Sequence, residues 1–166
     1  AAEDVYTRQP DRLVDLCSFS RIKPMVNQGE PHPHNQQKAA HGWMEKYGVV
    51  HEAWAPFGEG RGGLFTDPVL QKIGAKYGKT AAQVILRWHL QRGIVVIPKS
   101  THKERMAENL DVFGFSLSDE DMQAIAALDK EQSSFFSHID PATVEMFVRM
   151  VEECRGKTSD TAKKNW

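Results

Sequence analysis

The chain has 166 residues, 40% hydrophobic and 26% charged, and its 21 Lys and Arg against 22 Asp and Glu leave a formal net charge of −1. That balance excludes the strongly basic surface that a nucleic-acid partner demands. The apolar runs fall well short of the ~20 residues that span a bilayer, and no signal peptide opens the sequence, so a cytoplasmic chain with no membrane partner is expected.

In chain order, residues 11–19 read as a short helix started by Pro10, with Leu13, Val14, Leu16 and Cys17 on its apolar side. Residues 24–30 form the first strand. Residues 35–47 form a helix in which Ala40, Trp43, Met44 and Tyr47 recur at helical spacing, and Gly48 ends it. The second strand is 49–55. Glycines at 58, 60, 62 and 63 make 56–66 a loop too flexible for regular structure. Asp67 then caps a helix with Pro68 at its first position and Val69, Leu70, Ile73 and Tyr77 as its buried stripe. Thr80 caps the next helix, which turns Val84, Ile85 and Trp88 inward and closes at Arg92 and Gly93. Residues 94–97 are a third strand, buried on both faces and ended by Pro98. Ser118 and Asp121 make a capping box for a helix carrying Met122, Ile125 and Leu128. A last helix starts at Asp140 and Pro141 with Val144, Phe147, Val148 and Val151 on one face, and 156–166 is a polar, frayed tail. Strands alternating with amphipathic helices predict an α/β fold, βα units on a parallel sheet, in one domain over 1–155.

The run IVVIPKSTHKERMAEN at 94–109 has the layout of a phosphate site. A strand stops at a proline, and Ser100 or Thr101 can cap a helix beginning near His102. Free N–H groups and the positive end of the helix dipole then sit beside Lys99. Arg105 and the pair Glu108 and Asn109 follow one and two turns on, along roughly the same face. A capped surface helix with solvated charges is the alternative reading. Trp54 stands at the carboxyl end of a strand, where parallel barrels build their sites, or else is a core indole. His32 and His34 in PHPH invite a metal, but no third ligand of suitable spacing follows, and none is expected to bind.

The 94–109 run resembles the end of the last barrel strand in the aldo-keto reductase family. There a PKS-x-x-x-x-R-x-x-E-N pattern holds the adenosine 2′-phosphate and adenine of NADPH. Pro98, Lys99, Ser100, Arg105, Glu108 and Asn109 match it, with Thr101 beside them. The resemblance extends through VNQGEPHP (26–33), EAWAPFGEGRG (52–62), the stretch 64–93, SLSDEDMQAIAALD (116–129) and SSFFSHIDP (133–141), covering roughly 10–155. It implies a partial TIM-type (β/α) barrel, the second half, with parallel strands inside and helices outside.

It also implies a binding site for NADP(H). Trp54 would stack on the nicotinamide and Gln28 would meet its carboxamide. Ala55, Pro56, Phe57 and Gly58 would lead into a loop whose backbone approaches the pyrophosphate, with Arg61 either closing that loop over the cofactor or solvated. Two positions depart from the family. Gly29 stands where a β-branched or aliphatic residue is usual, and Tyr6 and Thr7 stand where Ser and Asn would hold the carboxamide.

A complete barrel needs about 250 residues. The resemblance places the catalytic Asp, Tyr, Lys and His in an earlier half, and the D-T-A-x-x-Y-x-N-E motif does not occur in this sequence. The expectation is therefore the cofactor-binding portion of an enzyme that reduces small carbonyl substrates, with no catalytic residue of its own and no turnover alone. The alternatives are a non-catalytic dinucleotide-binding or oligomerisation module and a folded fragment without a ligand. Three short strands that cannot close on themselves also suggest self-association through the exposed edges.

Overall fold

The computed structural model describes residues 10–137 and 140–162. Tyr6, Thr7 and His138 lie outside them, so the expected loss of half the carboxamide clamp does too. The described elements are α1 (Pro10–Phe19), β1 (Val26–Gly29), α2 (Lys38–Tyr47), β2 (Val50–Ala53), a 3-10 segment (Gly58–Thr66), α3 (Pro68–Tyr77), α4 (Ala81–Gln91), β3 (Val95–Val96), α5 (Lys103–Leu110), α6 (Asp119–Ala126) and α7 (Pro141–Ala162). Two compact units divide between Ser134 and Phe135.

In the first unit the three strands form a parallel sheet in the order β1-β2-β3, the core of a partial (β/α) barrel. The register pairs Asn27 with His51, Gly29 with Ala53, and Ala53 with Val96. Paired residues share a face, and this face is closed: Asn27 and His51 are 1% exposed and Ala53 is 0% exposed. The other face carries Val26, Gln28, Val50, Glu52 and Val95, and here Val50 and Val95 are 43% and 42% exposed. One expectation is corrected. The run 94–97 is not buried on both faces, because β3 is an outer strand two residues long; Ile94 is buried while Val95 and Ile97 are exposed.

Local chemistry explains most helix ends. The Asp67 side chain accepts from the N–H groups of Val69 and Leu70, and Pro68 fills the first turn of α3. Gly78 ends that helix in the left-handed region at φ 64°. Thr80 with Gln83 and Ser118 with Asp121 form capping boxes. The helix α2 starts at Lys38 rather than 35, because Asn35 and His32 exchange backbone hydrogen bonds and the Asn35 side chain donates to Glu30 O at 3.1 Å. In the glycine-rich loop short 3-10 turns are broken by non-helical backbone from Glu59 to Gly63, with positive φ at Gly58, Glu59, Gly60, Gly62 and Gly63 and the buried Leu64 as anchor. Neither Ser100 nor Thr101 caps α5. His102 takes that position without a side-chain bond, and Ser100 Oγ accepts from the His102 N–H at 3.1 Å.

The main core joins Leu64, Leu70, Ile73, Val84, Ile85, Trp88, Leu117 and Ile125, and a second cluster joins Leu13, Cys17, Met44 and Val49. Each large side chain so buried stabilises the fold by roughly 1.5–3 kcal/mol. In the second unit α7 is helical to Ala162, past the point where a frayed tail is expected, and Val144, Phe147, Val148 and Val151 are exposed on it. Among the described residues no helix is long and apolar enough to cross a membrane.

Candidate functional site

Parallel strands put all three carboxyl ends along one rim of the sheet, and the residues singled out from the sequence follow those ends. Gln28, near the end of β1, donates its side-chain N–H to Glu52 Oε1 on β2. Its amide is thus held by a carboxylate on the open face, a partner that sequence reasoning missed; alternation along two adjacent strands was the available signal. Trp54 follows β2, and its N–H donates to Gly29 O at 3.1 Å, which carries the ladder one residue further and leaves the indole half-buried at the rim.

Beyond Trp54, Ala55, Pro56 and Gly58 are buried and Phe57 is half-buried. The Gly58 N–H donates to Ala55 O at 2.9 Å and the Gly60 N–H to Phe57 O at 3.0 Å, and the Phe57 ring packs on Phe65 at 5.3 Å. Arg61 Nη1 donates to Ser134 O at 3.2 Å, so this arginine ties the glycine-rich turn to the segment before α7. Past β3, Lys99, Thr101, Arg105 and Glu108 are exposed, and Ser100 and Asn109 are half-buried. No residue of α5 is buried, and Lys99 and Arg105 stand in solvent.

Behind the rim lies a buried polar cluster that the sequence reading did not assemble. Glu30 and His32 are both 0% exposed. The Glu30 carboxylate accepts from His32 Nε2 at 3.1 Å, Ser133 Oγ at 2.5 Å and the Ser134 N–H at 2.7 Å. Burial opposes its ionisation, but these donors outweigh burial and hold its pKa below the usual carboxylate range. His34 faces Asp67 at 3.8 Å. On the closed face of the sheet, burial pushes His51 down to about 3, helped by His41, Arg92 and His89. His89 is pushed by burial to about 4 although its ring nitrogens contact Pro31 O and Ile85 O.

A parallel βα sheet flanked by helices defines a portion of a (β/α) barrel. The model of the aldo/keto reductase family matches residues 10–130. An aldo-keto reductase of Mycolicibacterium smegmatis is 46% identical over 121 residues, 73% of this chain and 43% of its own length. The glyoxal reductase of Bacillus subtilis is 46% identical over 124 residues, 75% of this chain and 44% of its own. Among solved structures, a point variant of Gox0644 in complex with NADPH superposes with a TM-score of 0.73 at 42% identity, covering 79% of this chain and 48% of that one. An aldo-keto reductase of Bombyx mori in complex with NADP gives a TM-score of 0.73 at 33% identity over 82% of this chain and 46% of its own. The chain belongs to the aldo/keto reductase family and spans a little under half the length of these relatives.

Proposed function

We propose that this chain is the NADP(H)-binding portion of a reductase acting on small aldehydes or ketones. The observation that carries the reading is the arrangement at one rim: an amide on β1, an indole after β2, and two solvent-facing cations after β3. Those residue types fit the cofactor's parts. Gln28 would meet the carboxamide, with Glu52 orienting its amide, and Trp54 would supply a flat wall for the nicotinamide. Ala55, Pro56, Phe57, Gly58 and Arg61 would border the pyrophosphate. Lys99, Ser100, Thr101 and Arg105 would hold the 2′-phosphate, with Glu108 and Asn109 beside the adenine. Bound there, the cofactor supplies hydride to a carbonyl carbon. Relatives named as glyoxal and methylglyoxal reductases support a small, reactive carbonyl as substrate.

The proton has no donor in this reading. The three tyrosines are Tyr6, Tyr47 and Tyr77; Tyr47 and Tyr77 end helices, and the Tyr77 hydroxyl is committed to Asp121 at 2.5 Å. Without general acid catalysis, worth roughly 10²–10⁴-fold, this chain alone does not turn over. The test is a fluorescence titration with NADPH and NADH. A preference of more than about tenfold for NADPH is expected from charge-assisted bonds to the extra phosphate, and Arg105→Ala should abolish much of it. Equal affinities for the two cofactors overturn the assignment.

A further inference from the structure

The cofactor contacts proposed above leave the cluster of Glu30, His32, Ser133 and Ser134 unused, yet it reaches across the chain. Ser133 and Ser134 lie 103 and 104 residues from Glu30 in sequence. Local structure therefore cannot explain the contact. Glu30 Oε1 takes the His32 Nε2 and Ser134 N–H contacts, and Oε2 takes the Ser133 hydroxyl. Because an ionised carboxylate only accepts, the His32 proton belongs on Nε2, which also lies 3.1 Å from Ser134 Oγ. Ser134 is thus fixed through both its backbone and its side chain.

The other side of Ser134 meets the glycine-rich turn at two points. Gly58 has φ 55°, and a Cβ there would lie 3.3 Å from Ser134 Oγ and 3.6 Å from His32 Cδ2, so its backbone packs directly on the pair. The Ser134 carbonyl accepts from Arg61 Nη1 at 3.2 Å. We propose that Glu30 is a positioning residue: acting through Ser133 and Ser134, it straps the Gly58–Arg61 turn in place and so sets the backbone that borders the cofactor's pyrophosphate. The role of that turn rests on the NADP(H) reading; the strap itself rests on the contacts. A carboxylate suits this task because its two oxygens accept three donors together, whereas an amide presents N–H hydrogens toward one of them.

Hydrogen exchange on the full chain tests the strap, comparing peptides over 57–66 with α4 in wild type, Glu30→Gln and Ser134→Ala. Exchange in 57–66 should quicken by about tenfold in Glu30→Gln, less in Ser134→Ala, with α4 unchanged. Adding Arg61→Ala to Glu30→Gln should raise it by less than the product of the two single effects, since both act through Ser134. The NADPH dissociation constant should rise in parallel, by about tenfold for Glu30→Gln, while the NADPH-to-NADH ratio stays fixed. Wild-type protection of 57–66 in both variants overturns the strap, and so does an equal rise in α4, which would make the cluster a matter of global stability. Failure of the wild-type chain to bind NADPH refutes the cofactor reading, and the exchange arm still decides the strap. If Glu30→Gln does not fold, Ser133→Ala, which keeps the carboxylate and its other two donors, carries the comparison: quickened exchange in 57–66 is expected, and wild-type protection overturns the strap.

Discussion

Gly29 shows how a departure from the family pattern is absorbed. Read alone it weakens a strand, but a Cβ at this position would lie 2.5 Å from Gln37 Oε1 and 2.6 Å from His51 Nε2. Gln37 Oε1 in turn accepts the Glu30 N–H at 3.0 Å, so displacing it strands a backbone donor at the base of the strap. The missing side chain makes room for the large one on β2. Gly29→Ala is expected to lose about 1–3 kcal/mol of stability by overpacking, and His51→Ala should recover part of that loss. Urea midpoints of both single variants and the double variant test the coupling; strictly additive losses would count against it. Residues of this kind were only partly legible. Gln28 stood out near the end of a strand, Trp54 and Lys99 just past one, and Arg105 in the helix that follows, all local signals. Glu30 did not, because its partners lie more than a hundred residues away.

At the level of elements, caps were legible because their chemistry closes within four residues. Asp67 with Pro68, Thr80, and Ser118 with Asp121 each read correctly from sequence alone, while the reciprocal Gln83 bond to Thr80 was not read. The burial of the third strand was not legible either, since it depends on neighbours, whereas the four glycines did mark a stretch whose positive φ values interrupt regular helix. The α6 cap also does tertiary duty. Asp121 accepts from Tyr77 Oη at 2.5 Å and Lys76 Nζ at 2.9 Å, which binds α6 to the end of α3. Burial resists its ionisation, but Tyr77, Lys76 and Ser118 outweigh that and lower its pKa to about 2 from 3.8. The unfolded carboxyl takes up protons first as the pH falls, so this stabilisation is complete above 3.8 and is lost as the pH drops through about 2. Urea denaturation between pH 5 and pH 2 should show that slope, and Asp121→Asn should flatten it while costing about 1–3 kcal/mol near neutrality. An unchanged slope in the variant would show that other carboxyls govern acid unfolding.

For the whole molecule, the governing fact is a sheet closed on one face and open on the other. Val50, Val95 and Ile97 are 43%, 42% and 47% exposed, and the outer edges of β1 and β3 have no ladder partner among the described residues. Apolar area of this kind favours association at ~25 cal/mol per Å² buried, so the chain alone is expected to self-associate with a second copy rather than persist as a monomer. Sedimentation at tens of micromolar tests this; a well-folded monomer that unfolds independently of concentration would show that the edges are covered by other means. The strap has a separate consequence, in the order of synthesis. As the chain leaves the ribosome, Glu30 is made long before Ser133 and Ser134, and until they arrive its carboxylate lacks two of its three donors. Burying the ionised carboxylate in that state carries a heavy penalty, so it stays in water or takes up a proton until its donors arrive. If the proposed strap holds the glycine-rich turn, that turn is expected to settle only after the chain has been made through to Ser134.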